Sequence, residues 1–273
     1  MRKINSKIIE KAVAQLCIKA NTVLRLDVLT ALKKAYSLEK KPRAKDALAA
    51  IIANARIARK ESLAICQDTG LPCVFVEIGQ DVKVVGDLKK AINNGVETGY
   101  KKGFLRNSIV RDVFLRNNPG YKPAVIHFDV VAGNKLKLTV LPKGFGCENK
   151  SQLSMLLPTA GAEEVKQFVV DCIKAAGPDA CPPYIVGVGI GATAEYVCFL
   201  AKKALLKKVT RRFSKFEKDL LVEINKLNIG VMGFGGKATC LGVNILTHPT
   251  HIAGMPVAVS ISCHALRSAT KTL

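Results

Sequence analysis

A hexapeptide, Ile65-Cys66-Gln67-Asp68-Thr69-Gly70, sets the tightest limit on how this chain can fold. It closes a stretch with helical period and precedes an apolar run, Cys73-Val74-Phe75-Val76-Glu77-Ile78, with the composition of a strand. Asp and Gly tolerate the backbone angles of a turn, so the chain must switch from helix to strand here. Such a connector needs only the aspartate and the glycine. The thiol and the amide beside them are what a reactive site adds. Asp179-Ala180-Cys181-Pro182-Pro183-Tyr184 and Ser260-Ile261-Ser262-Cys263-His264 have the same character, each setting a cysteine at the edge of an apolar run. Three thiols so placed are either ligands of one cluster or buried core residues, and spacing alone leaves both readings open.

Around these turns the chain alternates helical and strand-like segments. Residues 5–60 read as three helices. The first carries Ile8, Ile9, Ala12, Val13, Leu16 and Cys17 on one stripe. The second is capped by Asn21, and the third runs from about Asp46 after the break at Lys40-Lys41-Pro42-Arg43. A helix is expected over 85–99, then a hairpin of 124–131 with 135–141 across Ala132-Gly133-Asn134. In its second strand Lys137 and Thr139 alternate with Leu136, Leu138 and Val140, which predicts one wet face. Helices at 163–175, 194–206 and 214–227 follow, with strands at 185–190, 229–234, 239–246 and 256–262. No internal repeat is visible. The pattern predicts one mixed α/β domain over 1–273, with residues 1–60 as a helical N-terminal lobe.

The charge is uneven. Of a net +21, residues 1–60 supply +11 and residues 201–220 supply +6. These lysines fall on the polar faces of the expected helices with no interleaved aromatics, so a nucleic-acid groove is disfavoured. A solvated face, or a docking face for an acidic partner, fits better. No apolar run reaches the length of a membrane span, and the basic amphipathic start is not a signal peptide, so no membrane is expected. The nine cysteines include no CxxC pair and are expected to be reduced, in the cytoplasm. Cys17, Cys172 and Cys198 fall on apolar helix faces and Cys73 and Cys240 in strands, all reading as core. Cys147 lies in the turn Pro142-Lys143-Gly144-Phe145-Gly146-Cys147-Glu148-Asn149-Lys150, whose glycines let backbone N–H groups approach an anion.

Six dispersed stretches, in order, together resemble the alpha subunit of class I (iron–sulfur) fumarate hydratase and the related L(+)-tartrate dehydratase alpha subunit. They are 65–70, Leu105-Arg106-Asn107-Ser108, 142–151, 180–184, Phe234-Gly235-Gly236-Lys237, and His251 through Ser262-Cys263-His264-Ala265. The resemblance spans essentially the full length. It implies a [4Fe-4S] cluster held by Cys66, Cys181 and Cys263, leaving one iron open as a Lewis acid. It also implies Gln67, Arg106 and Gly146 as contacts to a small dicarboxylate, Arg106 through its planar fork. Asp68 and His251 would handle the proton near the leaving hydroxyl, and His264 would donate a hydrogen bond toward the cluster. The implied reaction interconverts (S)-malate and fumarate, a step of the tricarboxylic acid cycle, or converts tartrate to oxaloacetate. Single-chain members of the family are longer, so the chain reads as the alpha half of a hetero-oligomer. The base at C3 would then lie in a beta subunit. The contrasting reading, a basic nucleic-acid-binding protein, predicts salt-dependent binding and no iron.

Overall fold

The computed structural model describes residues 1–210 and 212–273. It is an α/β protein. The chain opens with β1 (Arg2–Asn5), α1 (Ser6–Thr22), α2 (Leu26–Leu38) and α3 (Pro42–Glu61). Then come β2 (Leu71–Gly79), β3 (Val82–Val85), α4 (Leu88–Lys102), β4 (Val125–Val131), β5 (Leu136–Lys143) and α5 (Phe145–Glu148). The second half holds β6 (Gln152–Leu156), α6 (Ala162–Ala176), β7 (Tyr184–Gly191), α7 (Ala194–Ala204), α8 (Lys215–Lys226), β8 (Cys240–His248), β9 (Met255–Ser262) and β10 (Ala269–Thr272). Among the described residues, no helix is long and apolar enough to cross a membrane.

The chain divides into two compact units. Unit 1 comprises Met1–Arg25, Ala55–Phe145 and Arg267–Leu273; unit 2 comprises Leu26–Asn54 and Gly146–Leu266. The helices of residues 1–60 are thus shared between the units. Their boundaries follow local chemistry. Asn5 caps α1 by accepting from the Lys7 N–H at 2.9 Å. Asn21, expected to cap the second helix, lies in the last turn of α1 instead. It is fully buried, and its Nδ2 donates to the Cys17 carbonyl. The third helix starts earlier than expected, with Pro42 in its first position, where a missing N–H removes no helical bond.

In unit 1 the four-stranded sheet has the order β10-β5-β2-β4. The expected hairpin of 124–131 with 135–141 does not form. β2 lies between them, parallel to β4 and antiparallel to β5. The reason is burial: residues 72–76 are buried in succession, as in a strand covered on both faces, so β2 takes the interior position. The polar face of β5 is wet only at Lys137, whose side chain is 44% exposed and pairs with Glu77. Thr139 is buried and shares a hydrogen bond with Thr270, its direct partner on β10, at 2.9 Å. The aliphatic core is formed by α1 and α4 against Val74, Val76, Leu136, Leu138 and Val140, with Ile8 of the expected stripe turned outward.

In unit 2 the sheet order is β6-β9-β7-β8, with β7 parallel to β8 and antiparallel to β9. One face packs Val186, Val188, Val257, Val259 and Ile261 under α6 and α8. The other face carries α7, whose backbone comes close to β7 because residues 187 and 189 have no side chain. A Cβ there would lie 2.1 Å from the Ala201 carbonyl oxygen and 2.2 Å from that of Val197. Residues 229–234 are not the expected strand. They form a short turn of 3-10 helix, Val231–Gly233, with Met232, Gly230 and Gly233 all at positive φ, which a strand cannot accommodate.

Candidate functional site

In unit 1 the turn 65–70 is held from several directions. The Ile65 N–H donates to the Asn21 carbonyl at 2.9 Å. Asp68 uses both carboxylate oxygens on backbone: Oδ1 accepts from the Gly70 N–H at 2.9 Å and Oδ2 from the Phe145 N–H at 2.8 Å. That arrangement explains Gly144, where a Cβ would sit 3.1 Å from Asp68 Oδ2. Tyr100, fully buried, donates its hydroxyl to the carbonyls of Thr69 and Gly70. Burial raises the Tyr100 phenol well above its ordinary value, so it stays a donor. Arg106 is joined to the same turn, since its backbone N–H donates to Thr69 Oγ1 at 3.1 Å. The half-buried Cys66 thiol and the exposed side chains of Gln67 and Arg106 therefore all lie on segments fixed through Asp68, Thr69 and Tyr100.

Arg267 was not singled out in the sequence, where it is one basic residue among 42. It is 3% exposed, and it donates to the Asp68 carbonyl at 2.8 Å and to Asn21 Oδ1 at 3.3 Å. A buried guanidinium spent on a turn carbonyl marks that turn as a place where geometry matters. Only its position four residues after Cys263 hinted at this.

In unit 2 the second cysteine stretch is held through its carbonyls. Pro182 and Pro183 have no N–H to offer. Instead, three successive carbonyls around the thiol accept hydrogen bonds. Ala180 receives the Cys147 thiol at 3.5 Å, Cys181 the His264 Nδ1 at 3.1 Å, and Pro182 the Met232 N–H at 2.8 Å. A carbonyl can only accept, so Nδ1 of His264 carries a hydrogen. His264 is thereby tied to the Cys181 backbone. Cys181 itself sits at φ 56°, in the left-handed region. Cys263 follows the end of β9, and its N–H donates to Cys147 Sγ at 3.1 Å. Cys181 and Cys263, 82 residues apart in sequence, are in this way joined within one hydrogen-bonded patch.

Gly146 is exposed, and a Cβ there would meet nothing within 4 Å. The glycine leaves open space above α5 rather than relieving a clash inside the protein. His251 lies on the exposed loop between β8 and β9, where its Nδ1 accepts from the Ala253 N–H at 3.2 Å. The Phe234–Lys237 stretch serves Glu39. Its carboxylate, 3% exposed, accepts from the N–H groups of Lys40, Lys41 and Lys237. Burial pushes Glu39 up, but those three bonds and the Lys237 charge outweigh it and hold the carboxyl below its ordinary value. Gly236, at φ 103°, lets the carboxylate in: a Cβ would lie 2.5 Å from Oε2.

None of the nine cysteines forms a disulfide. They separate by environment. Cys17, Cys172 and Cys240 are buried, and burial pushes each thiol up to about 12, so they are protonated packing residues. Cys73 is buried in β2. Cys198, expected in the core, is exposed on α7, because the face of that helix turned to the sheet is Val197, Ala201 and Ala204. Cys66, Cys181 and Cys263 are half-buried. They are divided between the units, Cys66 in unit 1 and the other two in unit 2. Among the described residues, no group of three or more His, Cys, Asp or Glu side chains is gathered as a metal site.

Sequence comparisons give this geometry a context. The model of a family described as fumarate hydratase (Fumerase) matches residues 10–272. A protein of Methanocaldococcus jannaschii named "Putative L(+)-tartrate dehydratase subunit alpha" is 38% identical over 277 residues, covering 97% of each chain. The L(+)-tartrate dehydratase subunit alpha of Escherichia coli K12 is 32% identical over 214 residues, covering 75% of this chain and 71% of its own.

Proposed function

Because the chain belongs to the fumarate hydratase (Fumerase) family and is a hydro-lyase of the fumarate hydratase and tartrate dehydratase type, we propose that it is the alpha subunit of an enzyme interconverting (S)-malate and fumarate. A beta subunit is the proposed partner, since the relatives are named as alpha subunits. The observation that carries the site is the unit 2 patch, in which Cys181 and Cys263 are half-buried on backbone held by His264 and Cys147.

The donor chemistry fits a [4Fe-4S] cluster. Thiolates are its usual ligands, and the three candidate cysteines are the half-buried ones, while Cys17, Cys172 and Cys240 are held as buried thiols. Cys66, Cys181 and Cys263 would hold it. Bound there, it would supply an iron without a protein ligand, a Lewis acid for hydroxyl and carboxylate oxygens.

The chain's own residues would do the rest. Arg106, exposed on a segment anchored to Thr69, would take one substrate carboxylate through its guanidinium fork. Gln67 and the Gly146 N–H would fix the other polar oxygens. In dehydration the C2–O bond breaks, and the C3–H electron pair becomes the double bond. Asp68 and His251 are the proposed carriers of the proton that leaves with the hydroxyl as water. Asp68 spends one acceptor position of each oxygen on backbone N–H groups, which orients the carboxylate and leaves further lone pairs. Removal of the C3 proton is assigned to the beta subunit.

The relatives' names favour a second reading, in which the substrate is L(+)-tartrate. The two substrates differ by one hydroxyl. The test is anaerobic turnover of malate, fumarate and L(+)-tartrate by the chain alone and with its beta subunit. Malate–fumarate interconversion that requires the partner is expected. Tartrate turnover without malate turnover would replace the substrate by the second reading. Turnover of none of them by the paired subunits would overturn both.

A further inference from the structure

Cys147 is 6% exposed and does two things at once. Its S–H donates to the Ala180 carbonyl at 3.5 Å, and its sulfur accepts the Cys263 N–H at 3.1 Å. The two contacts fall immediately before Cys181 and on Cys263 itself. Its own segment is fixed by two ion pairs just after it. Glu148 receives Lys202 of α7 at 2.5 Å, and Lys150 reaches Asp179 at 2.8 Å, two residues before Cys181. A carbonyl can only accept, so the sulfur must keep its hydrogen to make the Ala180 contact.

On the cluster reading given above, we propose that Cys147 is a positioning residue. It sets the spacing and direction of Cys181 and Cys263 from behind and is not itself a ligand. Residues that orient metal ligands in this way are commonly worth about 10–100-fold in metal retention. Serine keeps a donor and an acceptor at nearly the same place. Alanine and valine remove both, alanine leaving a small cavity and valine filling the space with a somewhat larger apolar group.

The test compares wild type with Cys147→Ser, Cys147→Val, Cys147→Ala and Cys181→Ser, all reconstituted anaerobically with iron and sulfide. The readouts are iron per chain, visible spectrum and the rate of iron loss to a chelator. The expected result is full iron content in Cys147→Ser with loss within twofold of wild type, and loss about 10-fold faster in Cys147→Val and Cys147→Ala. Valine carries the test if the alanine cavity unfolds the protein. Valine and alanine variants that hold iron like wild type would overturn the positioning role. Serine, valine and alanine variants that all bind no iron, as expected of Cys181→Ser, would make Cys147 a ligand and overturn it too. A wild-type protein that takes up no iron would overturn the cluster reading itself, and this inference with it.

Discussion

The two sheets share one neighbour pattern and use glycine in opposite places. In each, the strand that follows a cysteine turn occupies an interior position: β2 after Cys66 and β7 after Cys181. Each pairs in parallel with the strand reached by a helical crossover, β4 or β8, and antiparallel with the next strand, β5 or β9. A further antiparallel strand, β10 or β6, closes the far side. In unit 2 the close approach is helix on strand, through Gly187 and Gly189 of β7. In unit 1 it is helix on helix, where Gly95 and Gly99 of α4 meet the α1 backbone and a Cβ would lie 2.6 Å from the carbonyls of Glu10 and Ala14. The support of the thiols differs as well. Around Cys181 three consecutive carbonyls are engaged, whereas the described bonds of the Cys66 turn fall on Ile65 and from Asp68 onward. The same topology thus presents one thiol from a rigid proline-rich stretch and another from a turn pinned at its ends.

The largest effect expected is from Gly189→Ala. The new methyl would lie 2.2 Å from the Val197 carbonyl oxygen and 2.9 Å from the Ala201 nitrogen, and backbone atoms cannot step aside, so unit 2 should lose about 3 kcal/mol or more in denaturant unfolding. Gly95→Ala also meets backbone, but alanine recovers about 1 kcal/mol of helix propensity. Its loss should be smaller, about 1–2 kcal/mol. If Gly95→Ala proves the more damaging, the contrast between the units fails.

Next in size is Arg267→Met, which removes the bonds to the Asp68 carbonyl and Asn21 while keeping much of the side-chain bulk. A loss of about 2 kcal/mol is expected, because hydrogen bonds from a charged donor contribute about 1.5–3 kcal/mol. Cys66 should become more reactive to a thiol reagent as its turn loosens, with Cys181 unchanged. Equal effects on both thiols would mean that Arg267 does not act through the Cys66 turn.

The smallest is Glu39→Gln, expected to cost about 1–2 kcal/mol at pH 7 through weakened bonds to three N–H groups. Glu39 is held below its ordinary value in the folded protein, so its charge stabilises fully above the unfolded carboxylate value of about 4.3. That contribution is lost as pH falls through the lower folded value. The stability difference between wild type and Glu39→Gln should therefore shrink in acid. A constant difference would show that the charge is irrelevant.

Much of this was legible beforehand, for local reasons. Helices with a continuous apolar stripe, such as α1 and α6, follow from residue spacing, and the three cysteine turns are marked by their own composition. The sheet order was not legible. Whether the strand at 124–131 pairs with its successor or with β2 depends on how deeply β2 is buried, which only tertiary packing decides. The repeated neighbour pattern was hidden as well, because β2 is a run of apolar side chains at 73–76 while β7 is interrupted by Gly187 and Gly189. In the site, residues that carry chemistry stand out as types. Those that hold them do not: Arg267 and Tyr100 act through backbone carbonyls, and Asp68, read as a proton carrier, also proves to be a structural acceptor.

The measurement closest to the central claim is the iron and sulfide content and visible spectrum of the anaerobically reconstituted chain, beside Cys66→Ser, Cys181→Ser, Cys263→Ser and the exposed-site control Cys198→Ser. About four irons per chain, lost in each of the first three variants and kept in the fourth, is the predicted result. A colourless protein, or a cluster indifferent to the loss of Cys66, Cys181 or Cys263, would contradict it.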